Sequence, residues 1–394
     1  MGGAGARPAS RGYMDLGFLR PLYDNDAPVA SVHLDTSRDT TDADKKTELR
    51  WRHLRERLSG QGADEATLDV LEEAVGEGAS RAFGDHGQAL FASQGRLLGE
   101  YTLGDPPLRD SALWSPVPDV LPVVVDRGRH LPYVLVALDR VKAKVFAYGG
   151  DPDPRPVSER DFVGADLHDI DTMGRGGPGS LGGYNGDYVR KQYPLETWRE
   201  NTARLADIVR EAVAEVGASI IIVGGDDEAI SYLRDNIGER RLSLPIQVVS
   251  GGRGGRDAQE RLHREAARAL REFVLNAQVE AVEEFEERLG RDQAVSGTGQ
   301  TLPMLSEARV RTLLLGAERE GEGDLWGSLT EPVLVAAKPR ALGDEQAAFQ
   351  APASALMLRS AVMSDAGFAE VLKEGEPSAG SGAILRFPRQ RSER

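Results

Sequence analysis

Apolar positions along this chain switch repeatedly between the two-residue period of strands and the longer period of helices. In residues 29–34 (VASVHL) apolar and polar side chains alternate as in a half-buried strand. Residues 43–58 change to helical spacing, with Trp51, Leu54 and Leu58 at i, i+3 and i+7. Asp64 stands where it can cap a second helix that presents Leu68, Leu71 and Val75 on one side. The runs 88–93 and 96–101 flank Gln94-Gly95, the sign of a hairpin. Together these features predict an α+β unit.

Residues 104–118 (GDPPLRDSALWSPVP) hold four prolines and little periodicity, which predicts a linker. Beyond them, strands are predicted at 121–125, 133–138 and 141–148. A helix over 195–216 places Trp198, Leu205, Ile208, Val209 and Val213 on one side. A buried-type strand at 219–223, a Gly224-Gly225 turn, a helix through Leu233 and a strand at 246–249 follow. Strands alternating with helices imply an α/β layer with a parallel portion. A second flexible break, GGRGG at 251–255, precedes a charged helical stretch at 257–289. Strands at 311–315, 333–336 and 383–387, with helices at 302–308, 353–363 and 367–373, complete a small α/β/α sandwich.

The expected fold class is therefore α/β and α+β in three domains. Residues 1–11 read as a disordered tail, 12–103 as an N-terminal α+β domain, 104–118 as the linker, 119–275 as a middle α/β domain carrying a glycine-rich loop at 174–188, and 276–394 as the C-terminal sandwich. A length of 394 residues exceeds one ordinary core, in keeping with this division.

Composition narrows the chemistry. Hydrophobic residues at 40% and charged residues at 28% describe a soluble globular protein. A net charge of -15 argues against coating nucleic acid with the whole surface, and leaves room for local basic patches. With no cysteine there is no disulfide framework, thiolate nucleophile or thiolate-bound zinc, which fits a reducing cytoplasm. The N-terminus has no signal-peptide core, Ala6 stands where a myristoylation signal wants Ser or Thr, and no apolar run is long enough to cross a bilayer. A soluble, cytoplasmic protein with no membrane partner is expected.

Catalytic and metal motifs are not found. The six histidines are scattered, and His168 among Asp166, Asp169 and Asp171 reads as a solvated acidic loop rather than a metal site. No GxSxG elbow occurs. Residues 174–179 follow no strand and lack the Lys-Ser/Thr of a phosphate-binding loop. Gly224-Gly225-Asp226 lacks the third glycine of a dinucleotide fingerprint, and reads as a tight turn with Asp226 as a helix cap. No catalytic residue, cofactor or metal is assigned.

The glycine-rich stretch 174–188 (GRGGPGSLGGYNGDY) stands out, because seven glycines in fifteen residues lose much backbone entropy on ordering and offer almost no apolar surface. Arg175, Arg190 and Lys191 add positive charge, while Tyr184, Tyr188 and Tyr193 add stacking faces. Such a loop suits a narrow polyanionic slot. In residues 42–52 (DADKKTELRWR), Lys45, Lys46, Arg50 and Arg52 lie on exposed helix faces; the ordinary reading is a solvated surface, and the functional one is contact with RNA phosphate.

The order of three regions, with Gly174-Arg175-Gly176-Gly177 on a loop before a long helix, resembles the class-1 release factors of archaea and eukaryotes and their relative Pelota. It more closely resembles their bacterial homologues, which include the actinobacterial and Balon-type ribosome-hibernation factors. The likeness spans nearly the whole chain after residue 12. In the third region, residues 277–288 followed by 299–316 (GQTLPMLSEARVRTLLLG) match the family's order of helix, short helix and strand. Release factors of this family end the loop motif in GGQ, whose glutamine helps position water for peptidyl-tRNA hydrolysis. Here Pro178 holds that place, and proline has no N–H to donate. A donor of this kind is typically worth on the order of 3 kcal/mol in the transition state. The first region also lacks the family's NIKS and YxCxxxF stop-codon elements; residues 43–48 (ADKKTE) stand in the equivalent position.

The resemblance thus implies a monomeric, non-enzymatic ribosome-binding hibernation or stress factor in the A site. Lys45, Lys46 and Arg50 would meet rRNA phosphates at the decoding centre. Gly174, Arg175, Gly176, Gly177, Pro178, Tyr184, Arg190 and Lys191 would meet rRNA towards the peptidyl-transferase centre. Elongation factor Tu is an implied partner. Two other readings stand beside this one: a codon-independent rescue factor that hydrolyses peptidyl-tRNA, and an acidic α/β protein whose loop covers a small-molecule pocket.

Overall fold

The structure, a computed structural model, describes residues 13–77, 84–139, 141–150, 155–164, 186–238, 242, 244–317, 322–371 and 380–388, with backbone alone over 186–199. The fold is mixed, α/β and α+β. It divides into two compact units: the chain through His130 together with Val274 onward, and Leu131–Phe273.

The first unit opens with β1 (Met14–Asp15), α1 (Arg20–Tyr23), β2 (Val29–Asp35), α2 (Ala43–Gly60), α3 (Glu65–Ala74), β3 (Gly87–Ser93), β4 (Arg96–Leu103), β5 (Ser111–Ser115) and α4 (Leu121–Arg129). Strands β4, β3, β2 and β5 pair antiparallel in that order. As expected, Asp64 caps α3 by accepting from the Thr67 amide at 3.0 Å, and Gln94 and Gly95, at φ 51° and 70°, turn the β3–β4 hairpin. Leu54, Leu58, Leu68 and Leu71 from α2 and α3 cover one face of this sheet over Val32, Leu34 and Leu90. The other face is equally dry, so all seven residues of β3 are buried.

What covers that second face comes from the far end of the chain. There the chain forms β11 (Ala294–Ser296), β12 (Val310–Gly316), β13 (Asp324–Ser328), β14 (Val335–Ala336), β15 (Ala348–Pro352), β16 (Gly367–Val371) and β17 (Ser381–Leu385). One sheet runs β1-β16-β12-β17-β11, with β12 and β16 parallel, and a smaller one runs β14-β13-β15. Ala89 and Phe91 of β3 share one apolar cluster with Leu16, Leu19, Val123, Leu313, Leu356 and Phe368. The two ends of the chain thus meet in a single core.

The middle unit holds β6 (Tyr133–Leu138), β7 (Lys142–Tyr148), β8 (Ser158–Val163), α5 (Gly186–Val216), β9 (Ile220–Gly225), α6 (Asp227–Ile237), β10 (Ile246–Val248) and the first half of α7 (Arg256–Leu289). Its sheet runs β10-β9-β6-β7-β8, parallel from β10 to β6 and antiparallel beyond. Leu205, Val209, Val213, Ile230 and Leu233 of α5 and α6 pack on one face. Leu262, Ala266 and Ala269 of α7 pack on the other, over Leu135 and Ile222. The chain-terminal unit adds α8 (Thr298–Ser306) and α9 (Ala353–Met363), the latter buried along nearly its whole length.

Four local expectations change. Residues 121–125 form the start of α4 rather than a strand, because Pro122 suits a first helical turn and a short apolar run carries no period of its own. Residues 367–373 do not continue as a helix: 367–371 form β16, pinned between β1 and β12. The proline-rich 104–118 stretch contributes β5, whose partner β2 supplies the ladder. Helix α5 begins at Gly186, so Arg190 and Lys191 belong to its opening turns and not to a loop.

Candidate functional site

The N-terminal candidates sit on the first turns of α2, a helix whose buried stripe of Thr47, Trp51, Leu54 and Leu58 fixes which side chains face outward. Lys45 and Lys46 are exposed, and the Lys46 ammonium donates to Thr40 Oγ1 at 3.2 Å. Arg50 is differently placed. Its guanidinium donates to Asp35 Oδ2 at 2.6 Å and lies 3.3 Å from Asp110 Oδ2, with a further donation to the Asp35 carbonyl. Arg52 pairs with Glu48 one turn back, and Arg55 holds Glu65, Asp69 and Glu72 together. A phosphate approaching α2 therefore meets two exposed lysines beside arginines already neutralised by carboxylates.

Gly174, Arg175, Gly176, Gly177, Pro178 and Tyr184 lie outside the described residues, as do His168 and its aspartates. The described chain reaches this stretch from β8, the edge strand of the middle sheet, and leaves it as α5. Arg190 and Lys191 lie on the backbone of the opening turns of α5. A helix start carries partial positive charge, so cationic residues there reinforce the attraction for anions.

The Gly224-Gly225 turn has a packing role. Gly225 has φ +148°, and a Cβ there would lie 1.7 Å from the Leu138 carbonyl oxygen. A Cβ on Gly251 would lie 2.5 Å from the Leu262 amide. The glycines let β9, the chain before α7 and the end of β6 touch backbone to backbone. Asp226 caps α6 by accepting from the Ala229 amide, as the sequence predicts.

Burial shifts titratable groups inside the chain-terminal unit. Burial lowers the His33 pKa, with Asp119 opposing, so the ring stays neutral with Nδ1 3.1 Å from Ser111 Oγ. Burial raises the Tyr23 hydroxyl pKa, with Arg359 opposing. Near the end of α4, Arg129 makes a two-pronged pair with buried Glu370, which also accepts from Gln278 at 2.8 Å. Beside it, a hydrogen bond donated by the His130 ring to the Asp126 carboxylate raises the His130 pKa. Among the described residues, no group of three or more His, Asp or Glu side chains is arranged to hold a metal ion. No helix among them is long and apolar enough to cross a membrane.

This middle sheet with its long flanking helices is the part of the chain that a family model matches. Residues 132–291 match the family model described as baeRF_family2, bacterial archaeo-eukaryotic release factor family 2. The middle part of the chain is thus similar to this family of bacterial release-factor homologues. The whole chain is similar to uncharacterized protein Rv2629 of Mycobacterium tuberculosis, 28% identical over 386 residues that cover 94% of this chain and 96% of the relative. Among solved structures it is similar to Dom34 of S. cerevisiae, a translation termination-like factor, at TM-score 0.41 and 10% identity over 77% of this chain and 80% of that one. It is also similar to Archaeoglobus fulgidus Pelota, at TM-score 0.32 and 15% identity over 90% and 95% of the two chains.

Helix α7 is more than a charged stretch. Arg261, Arg264 and Arg271 are exposed on the side away from Leu262, Ala266 and Ala269. Their spacing of three and seven residues is a helical signal visible in the sequence, though only the burial of the opposite side shows that they share a solvent face.

Proposed function

We propose that the protein occupies the ribosomal A site as a hibernation or stress factor and performs no peptide release there. The observation that carries this reading is Pro178, directly after Gly176-Gly177, where release factors of the family have glutamine. A proline can neither donate a backbone hydrogen bond to a developing oxyanion nor present an amide side chain to water. In this reading Gly174, Arg175, Gly176, Gly177, Pro178 and Tyr184 face large-subunit rRNA, and Arg190 and Lys191 stand behind them on α5. Lys45 and Lys46 meet rRNA phosphate on the small subunit, where an Arg50 held by Asp35 and Asp110 serves to stiffen α2. The protein acts as a monomer in the cytoplasm, and elongation factor Tu accompanies it to the ribosome.

Two measurements test this. Cosedimentation of the protein with ribosomes from stationary cells is expected, and its absence from every ribosomal fraction counts against the whole reading. In a peptidyl-tRNA hydrolysis assay the natural chain is expected to be inert and Pro178→Gln to gain activity. Robust release by the natural chain would instead favour a codon-independent rescue factor.

A further inference from the structure

The first half of α7 packs on the middle sheet through Leu262, Ala266 and Ala269. At 3.6 residues per turn, Arg261, Arg264, Arg268 and Arg271 fall within about 80° of one another on the opposite side. Ten residues at 1.5 Å each spread them over about 15 Å. Arg268 is tied to Glu265 and Glu272. Among the described residues, no carboxylate pairs with Arg261, Arg264 or Arg271. At the start of this row lies an open hollow of about 450 Å³ lined by Arg256, Gln259, Glu260, His263 and Arg264.

In a chain of net charge -15 this is a local inversion. Residues 253–273 carry six arginines against four acids, a balance of +2, while residues 274–289 carry five glutamates against one arginine, a balance of -4. Arginines elsewhere, such as Arg50, Arg55 and Arg311, are held by carboxylates. Three exposed guanidiniums in one row, without a carboxylate partner among the described residues, are open to an external anion. Their spread is too great for one phosphate or carboxylate to satisfy them and suits a polymer of evenly spaced negative charge. No large apolar side chain lies among them, as a helix lying on a membrane surface would require.

We propose that this arginine ridge is an RNA-binding surface that grips the phosphate backbone of a double-stranded segment, in addition to the glycine-rich loop and α2. The inference rests on the ribosomal reading above and names a contact that reading does not contain.

The test compares the natural chain with R261E/R264E/R271E and its neutral counterpart R261Q/R264Q/R271Q. A charge-matched control is R96E/R291E/R340E. Binding to purified ribosomes and to a short RNA duplex is measured across salt concentrations, with thermal unfolding as a check on folding. The ridge predicts at least tenfold weaker ribosome binding for the glutamate variant. The slope of log affinity against log salt should fall by roughly 1 for each phosphate no longer neutralised. The glutamine variant should be intermediate and the control unchanged. Ribosome binding equal to that of the natural chain overturns the ridge and leaves the ribosomal reading standing. Weaker binding with an unchanged salt slope, and no competition by duplex RNA, overturns it in favour of an acidic protein surface. If the natural chain ignores ribosomes, the ribosomal reading fails and the duplex decides: arginine-dependent, salt-sensitive binding supports the ridge, and no binding overturns it.

Discussion

The middle unit draws its whole sheet and both covering layers from one continuous stretch, Leu131–Phe273, whereas the other unit joins the two ends of the chain in one core. Phe91 from the N-terminal sheet and Phe368 from the C-terminal one belong to the same apolar cluster. The contrast extends to charge. Arginines are engaged by carboxylates in both units, Arg50, Arg55, Arg129 and Arg311 in one and Arg160 and Arg210 in the other, and the difference lies on α7. The middle unit leaves a row of arginines open to solvent on α7. The lesson is a division of labour: the paired ends make a body stabilised by distant contacts, and the self-sufficient middle carries exposed positive charge.

The severest way to break this comparison is to cut the chain. Residues 131–273 alone are expected to unfold in one cooperative calorimetric transition, and residues 1–130 alone in none, because the latter would expose the Ala89–Phe91 face of β3. A cooperative transition from residues 1–130 would show that the shared core is dispensable. Single substitutions come next. Gly225→Ala must place a methyl group against the Leu138 carbonyl at φ +148°, so the middle unit should lose its transition while the other keeps its own. Phe91→Ala should act the other way round, destabilising the chain-terminal unit by about 3–5 kcal/mol in urea titrations.

A smaller effect is expected at Glu370→Gln. Its carboxylate binds Arg129 and Gln278, and loss of its charge should cost about 2 kcal/mol in the chain-terminal unit alone. The smallest expected effect concerns pH. The hydrogen bond to Asp126 raises the His130 pKa, so the folded state favours its protonated ring. Its contribution is fully present below the ordinary value of about 6.5 and is lost as pH rises through the raised value. Burial lowers the His33 pKa, so its contribution runs the other way and is lost as pH falls below about 6.5. His130→Asn should therefore weaken the unit more at about pH 5 than at about pH 8. Equal losses at both would place the His130–Asp126 contact outside the folding balance.

Long periodic segments were legible from sequence alone. The stripe of Trp51, Leu54 and Leu58 defines α2, Ala353–Met363 is a helix at the bounds its pattern predicts, and Asp64 and Asp226 cap the helices they precede. These features depend on neighbours within a turn or two, where local geometry dominates. The glycine-rich stretch and its Pro178 are also properties of sequence, and they carry the proposed function.

Other features needed the folded chain. Residues 121–125 and 367–371 are both short and apolar, and only their partners decide that one turns as α4 and the other lies flat between β1 and β12. Arg50 looks like a free surface cation until folding brings Asp35 and Asp110 beside it. The sequence by itself determined the local periods, caps and glycine positions, because these obey backbone sterics over a few residues. The tertiary structure alone decided that the chain ends share a core and which arginines find carboxylate partners, because both depend on residues that meet only across long stretches of chain.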